Sequence, residues 1–239
     1  MVIKLNDREK LFELGQKFYQ ANELQKAVKY FKRLTVLYPT YFEAHFYLSA
    51  VYELNGEIHR AIEEFEILVA LKPQDKQLKD FLIRLYFRTK NYRKSIHLLR
   101  LLLEKYPHNV EYTMLISEAL FFAGRYQMAE KILSREYRKN PFNQKIIFNL
   151  MLTLREQRKQ RKAKLLLKKL IRRYPGNPIY RYFLGTIYED MKKYRRMQKE
   201  MDKAYSLLMI DDSDERALYK EISNRMVDYG LSGNIVKFI

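Results

Sequence analysis
REKLFELGQKFYQANELQKAVKYFKRLTVLYPTY, Arg8–Tyr41, is the stretch that decides the fold. Leu11, Leu14 and Phe18 recur at three- and four-residue spacing, and beyond Asn22 the recurrence resumes with Val28, Phe31 and Leu34. That spacing predicts two amphipathic helices, each with one apolar stripe. Asn22 can take the left-handed conformation that ends the first helix. Pro39 stops the second, because it lacks an N–H and restricts the residue before it. Ala27 is small enough to let the second helix approach the first closely.

The pattern returns five more times in steps of 34 residues. Pro39, Pro73, Pro107, Pro141 and Pro175 are five of the chain's six prolines, a spacing that chance does not produce. Aligned on them, Leu14, Leu48, Leu82, Ile116, Leu150 and Leu184 form an apolar column. Phe18, Tyr52, Tyr86, Leu120, Leu154 and Tyr188 form a bulky one. Ala27, Ala61, Ser95, Ala129 and Ala163 are small, with Met197 ending the column, and Phe31, Phe65, Leu99, Leu133, Leu167 and Met201 are large. The break between the two helices falls at Asn22, Asn55-Gly56, Lys90-Asn91, Gly124 and Lys192.

This unit resembles the tetratricopeptide repeat, whose signature is a 34-residue helix-turn-helix with Leu-Gly, Tyr, Ala, Phe and a closing Pro. The resemblance covers six repeats, 8–41, 42–75, 76–109, 110–143, 144–177 and 178–211. It implies an all-α, right-handed superhelical solenoid in which the first helix of every repeat lines a concave face. The glycine column reads Gly15, Ser49, Ile83, Ser117, Met151 and Gly185, so the helices of the third and fifth repeats are expected to loosen or repack. Glu136 stands where the other repeats carry Leu34, Leu68, Leu102, Leu170 and Ala204, and Met209 stands where a sixth-repeat proline would be. Residues 1–7 read as a lead-in, with Asn6 or Asp7 as the first cap. Beyond Asp211 the register is lost. A C-terminal capping helix is expected there, with Ser213 or Asp214 as N-cap, Leu218, Ile222 and Met226 on one face, Gly230 as its end, and an apolar tail behind it.

Composition agrees with a folded helical chain. A 47% hydrophobic fraction fills a core, and 7 glycines and 6 prolines leave the connections short. The absence of cysteine excludes disulfides, thiolate metal sites and a cysteine nucleophile, and it fits a reducing compartment. The first residues, MVIKLNDREK, hold no apolar run behind Lys4, and no segment reaches about 18 apolar residues, so a soluble cytoplasmic protein is expected. The net charge is +18, concentrated in residues 144–211, where eighteen basic residues meet six acidic ones.

The resemblance places two inward columns on the concave face. One holds Phe12, Phe46, Asp80, Met114, Phe148 and Tyr182, and the other Tyr19, Glu53, Phe87, Phe121, Arg155 and Glu189, with Phe122 beside Phe121. Phe12, Phe46, Phe87, Phe121, Phe122, Phe148 and Tyr182 are therefore expected to anchor a peptide or helix of a partner protein. Arg84, Arg88 and Arg155 are expected to orient it. Relatives that grip a chaperone's terminal carboxylate use Lys, Asn and Arg where this chain has Phe12, Gln16, Ala50, Asp80 and Arg84, so that ligand does not fit. A second expectation rests on ten basic residues and one acid between Arg155 and Arg173. Arg158, Arg161, Lys162, Lys168, Lys169 and Arg172 form a face that would attract an acidic protein, RNA or an anionic membrane surface. Self-association is compatible with either surface. The four histidines fall in four different columns, and no metal, nucleotide or nucleophile–base motif accompanies them, so neither cofactor nor catalysis is expected.

Overall fold
The computed structural model describes residues 5–210, which form twelve α-helices and no strand. The chain divides into two compact units, Met1–Lys105 and Tyr106–Ile239. In the first unit the helices pair as hairpins: α1 (Leu5–Gln20) with α2 (Leu24–Leu37), α3 (Phe42–Leu54) with α4 (Ile58–Leu71), and α5 (Lys76–Arg88) with α6 (Tyr92–Lys105). In the second unit α7 (Val110–Phe122) pairs with α8 (Tyr126–Lys139), α9 (Gln144–Glu156) with α10 (Gln160–Arg173), and α11 (Pro178–Asp190) with α12 (Tyr194–Ile210). Within each unit every second helix also packs on the first helix of the next hairpin, so each unit is a short solenoid of three hairpins. The all-α repeat architecture expected from the columns is what the chain adopts.

The columns explain the packing. Ala27, Ala61, Ser95, Ala129 and Ala163 are fully buried where the paired helices meet. Across from them, the glycine column and the large column are complementary in size. A Cβ added at Gly15 would lie 2.6 Å from the Phe31 ring, so Phe31 occupies the room that the glycine leaves. Where the glycine column holds Ile83 or Met151, its counterpart is Leu99 or Leu167, and all four are buried. The third and fifth hairpins have repacked, not loosened. Ser117 is paired in register with Leu133, a small residue with a medium one, and both line a narrow crevice at the base of α7 and α9.

Two features depart from a uniform repeat. Leu14, in the first described hairpin, is 38% exposed while Leu48, Leu82, Ile116, Leu150 and Leu184 are buried. Glu136, buried in a leucine column, keeps its carboxylate 2.9 Å from Lys139 Nζ at the end of α8. The helix ends differ modestly from expectation. α1 begins at Leu5, so Asn6 and Asp7 sit in its first turn and do not cap it. Lacking a proline at Met209, α12 runs to Ile210. The expected capping helix and tail, residues 212–239, lie outside the described residues.

Every hairpin turn is built alike. Asn22, Gly56, Lys90, Gly124, Arg158 and Lys192 all have positive φ, between 55° and 75°. In each, the next N–H reaches back to a carbonyl five residues earlier, as in Glu23 to Phe18, Arg125 to Leu120 and Lys159 to Leu154. This is the Schellman closure of a helix. Arg158, like Lys90 and Lys192, takes this conformation without being Gly or Asn, so part of the basic run is a turn. Between hairpins, Asp75, Asn109, Asn143 and Asn177 each accept a backbone N–H from the first turn of the following helix, two residues past each proline. An L-residue in the left-handed region carries strain of about 1–2 kcal/mol, which glycine avoids at some cost in chain entropy. Arg158→Gly is thus expected to stabilise the protein by about 0.5–1 kcal/mol. A melting temperature no higher than that of the unsubstituted chain counts against this account of the turn.

Candidate functional site: the first-helix faces and the basic edge
In the first unit, α1 and α3 lie side by side and share a face of aromatic rings. Tyr47 is its centre. Its ring stacks on Phe31 at 5.3 Å and meets Phe12, Tyr19 and Phe46 edge-on at 5.4, 5.6 and 6.1 Å. Gln16 Nε2 donates to its hydroxyl at 3.0 Å, which fixes the ring's orientation. Phe46 stands at the rim, 44% exposed, and packs on Phe42, over which Lys72 Nζ sits at 3.7 Å. Phe12 is half-buried and touches Phe31 and Tyr41 as well, so it belongs to the core as much as to the face. At the base of the cluster the Arg8 guanidinium lies 5.0 Å from the Tyr41 ring. Burial, more than the charge of Glu43, pushes the Tyr41 hydroxyl above its ordinary range.

The column ends in charge on α5. Asp80 accepts from Lys76 Nζ at 2.8 Å. Arg88 is engaged by Glu53 of the preceding hairpin, so it fastens two hairpins together. Arg84 is exposed, 5.2 Å over the Phe81 ring, and among the described residues no carboxylate pairs with it. Phe87 is half-buried, edge-on to Tyr92.

In the second unit the same columns give a more deeply packed face. Phe121 meets Phe122 at 5.6 Å and Tyr126 at 5.4 Å. Phe148 packs against Tyr180 and Phe183, and Tyr182 against Phe183. Phe148, Tyr182 and Met114 all border the core of that unit. Arg155 Nε donates to Asp190 at 3.1 Å, so it too ties neighbouring hairpins. Of the three arginines expected to orient a ligand, two have structural partners.

The residue missed by the column reading is Tyr47. Its own column, Glu13, Tyr47, Phe81, Leu115, Asn149 and Phe183, is aromatic in three of six repeats. That recurrence of aromatic residues was the available signal.

The basic face is solvent-facing as its pattern requires. Ala163, Leu166, Leu167 and Leu170 are the buried side of α10, and Arg158, Arg161, Lys162, Lys168, Lys169 and Arg172 are exposed. Lys169 Nζ reaches the Tyr137 hydroxyl at 2.6 Å. Among the described residues no three His, Asp or Glu side chains converge as a metal site requires, and no helix is long and apolar enough to cross a membrane.

Comparison with known proteins agrees with the geometry. A family model described as tetratricopeptide repeat matches residues 12–76 and 82–144, and a second model of the same description matches 146–177. No curated protein matches the chain in sequence. Among solved structures, a tetratricopeptide repeat protein from Parabacteroides merdae ATCC 43184 is 14% identical, with 96% of this chain and 94% of that one covered and a TM-score of 0.61. The APC/C hetero-tetramer Cut9-Hcn1 is 13% identical over 86% of this chain and 40% of that one, with a TM-score of 0.49. YrrB, described as a repeat protein with an unusual peptide-binding site, is 14% identical over 88% of this chain and 90% of that one, with a TM-score of 0.40. At 14% identity the likeness to the first of these is one of fold.

Proposed function
Because the chain belongs to the tetratricopeptide repeat family, we propose that it is a protein-interaction scaffold whose first unit holds a helix or extended segment of a partner on the face of α1 and α3. The reading is of a binding protein, not a catalyst. The observation that carries it is the Tyr47 cluster, with Phe46 left 44% exposed at its rim. A half-exposed ring on a preorganised aromatic support gains about 25 cal/mol for each Å² that a partner covers. The support is already ordered, so little conformational entropy is lost on binding. Phe46 is the anchor in this reading, Tyr47 and Tyr19 form the floor, and Arg84 is the free cation that would orient the ligand. Phe121, Phe122, Phe148 and Tyr182 would serve in the same way in the second unit, with less exposed ring to offer.

Selection from a displayed peptide library tests this. The unsubstituted chain is expected to enrich peptides with spaced apolar anchors, and Phe46→Ser is expected to weaken their binding by about tenfold, or 1–2 kcal/mol. Because Phe46 is exposed, the variant should keep the helical circular dichroism and melting temperature of the parent. Peptides that bind the variant equally well would place the groove elsewhere. A variant that unfolds would show the ring to be core.

A further inference from the structure
Two pairs of successive hairpins are joined at the same edge by a carboxylate held among basic groups. On α4, Glu66 accepts from Lys94 Nζ at 2.6 Å and from the Tyr86 hydroxyl at 2.8 Å. On α8, Glu130 accepts from Lys159 Nζ at 2.5 Å and from Gln157 at 2.8 Å. Burial pushes the Glu130 carboxyl up, but these hydrogen bonds and the charges of Lys159 and Lys162 hold it below the usual carboxylate range.

The repeat register carries this edge to the fifth and sixth hairpins with its signs changed. One step of 34 residues takes Glu130 to Lys164, Lys159 to Lys193 and Lys162 to Arg196. Three steps take Glu66 to Lys168, Lys94 to Arg196 and Tyr86 to Tyr188. Both carboxylate positions are now lysines, while the basic and tyrosine positions keep their chemistry. The side chains converge in space as the register implies. Lys164 Nζ and Arg196 Cζ lie 6.0 and 5.9 Å from the centroid of the same Tyr188 ring. Burial and then the charges of Lys193, Lys168, Arg196 and Arg161 push the Lys164 ammonium below its ordinary range, as expected where cations crowd together. Among the described residues no carboxylate pairs with any of these five cations, and no side chain accepts from the Tyr188 hydroxyl. Like charges held this close repel, and the described residues supply no counter-charge.

We infer that this notch on α10 and α12 binds carboxylate side chains of an acidic segment of a partner protein, seated where Glu66 and Glu130 sit in the other hairpins. The chain supplies its own evidence for the ligand class, because both equivalent notches are filled by a carboxylate accepting from a lysine. A nucleic acid fits less well: Tyr194 at the start of α12 is an exposed ring, but Tyr188 is buried, α10 carries no ring, and the two filled notches each hold a carboxylate. The notch belongs to second helices of the second unit and does not depend on the reading of the α1 and α3 face.

The test uses the full chain and a labelled hexaglutamate peptide, with a hexauridylate of similar charge as the second probe, followed by fluorescence anisotropy at low salt. Lys164→Glu places a carboxylate back between Lys193 and Arg196. It is expected to weaken hexaglutamate binding by about tenfold or more. It should also raise the melting temperature by about 2 °C, because an internal carboxylate then relieves the repulsion. Arg135→Glu, the same charge change at an exposed position on α8, should alter affinity by less than about twofold. Four results overturn the proposal: no saturable hexaglutamate binding, equal losses from the two variants, tighter binding of hexauridylate than of hexaglutamate, or no rise in melting temperature for Lys164→Glu.

Discussion

Phe31→Ala is expected to destabilise the protein by about 3–5 kcal/mol, the largest effect of any single substitution considered. The ring is fully buried and fills the space opened by Gly15, with Tyr47 stacked on one side and Phe12 edge-on. A cavity formed there cannot be closed from the α1 side, because Gly15 has no side chain to move into it. That places the cost toward the top of the range. Urea unfolding of the variant measures it. The same experiment reads the functional face, since Phe31 is the floor on which Tyr47 rests: peptide binding by the first unit should fall together with stability. A variant as stable as the parent would mean that the register of α1 against α2 is wrong.

His45→Leu is expected to cost about 2–3 kcal/mol. The imidazole is buried between three segments. Its Nε2 donates to the Pro39 carbonyl at 2.9 Å, and its Nδ1 lies 2.6 Å from Glu64 of α4, whose side chain is only 15% exposed. Leucine would leave both oxygens without that partner, and an uncompensated carboxylate in a protein interior is costly. The repeat itself suggests the rescue. The equivalent positions are Ile147 and Leu166 in the fifth hairpin, an apolar pair, and Arg181 and Glu200 in the sixth, an ion pair at 3.2 Å. His45→Leu with Glu64→Leu should therefore recover most of the loss, and a double-mutant cycle by urea unfolding reports the coupling. A double variant no more stable than the single one would show that the pair is not a unit.

That pair illustrates what the sequence did and did not disclose. The 34-residue spacing of the prolines and of the apolar columns gave the helices, their pairing and the buried alanines, because close packing against a neighbour permits only certain sizes at each position. The repacking at Ile83 and Met151 was half legible. The glycine column pointed to crowding, but relief came from a second column, where leucine replaces phenylalanine. His45 and Glu64 are nineteen residues apart on different helices, and only a comparison of two columns at once would have joined them. The aromatic face was read in part. Phe12 and Phe46 were visible as a column, whereas Tyr47, which links them, sits one position over. The ion pairs of Arg88 and Arg155 were hidden for a related reason. A single column does not reveal that the next hairpin places Glu53 or Asp190 within reach.

Besides the ion pairs inside a hairpin, His45 with Glu64 and Arg181 with Glu200, a second set joins one hairpin to the next. Size-matched pairs such as Gly15 with Phe31 lie within one hairpin, whereas the polar ties, Glu53 to Arg88, Glu66 to Lys94, Glu130 to Lys159 and Arg155 to Asp190, each join a hairpin to its successor. Each hairpin is thus a portable module with an address written on its edges. Exchanging two hairpins of one unit would leave every interior intact and mismatch the addresses, setting acid against acid or base against base. The order of the repeats is therefore encoded in charge, separately from the shape that lets each of them fold.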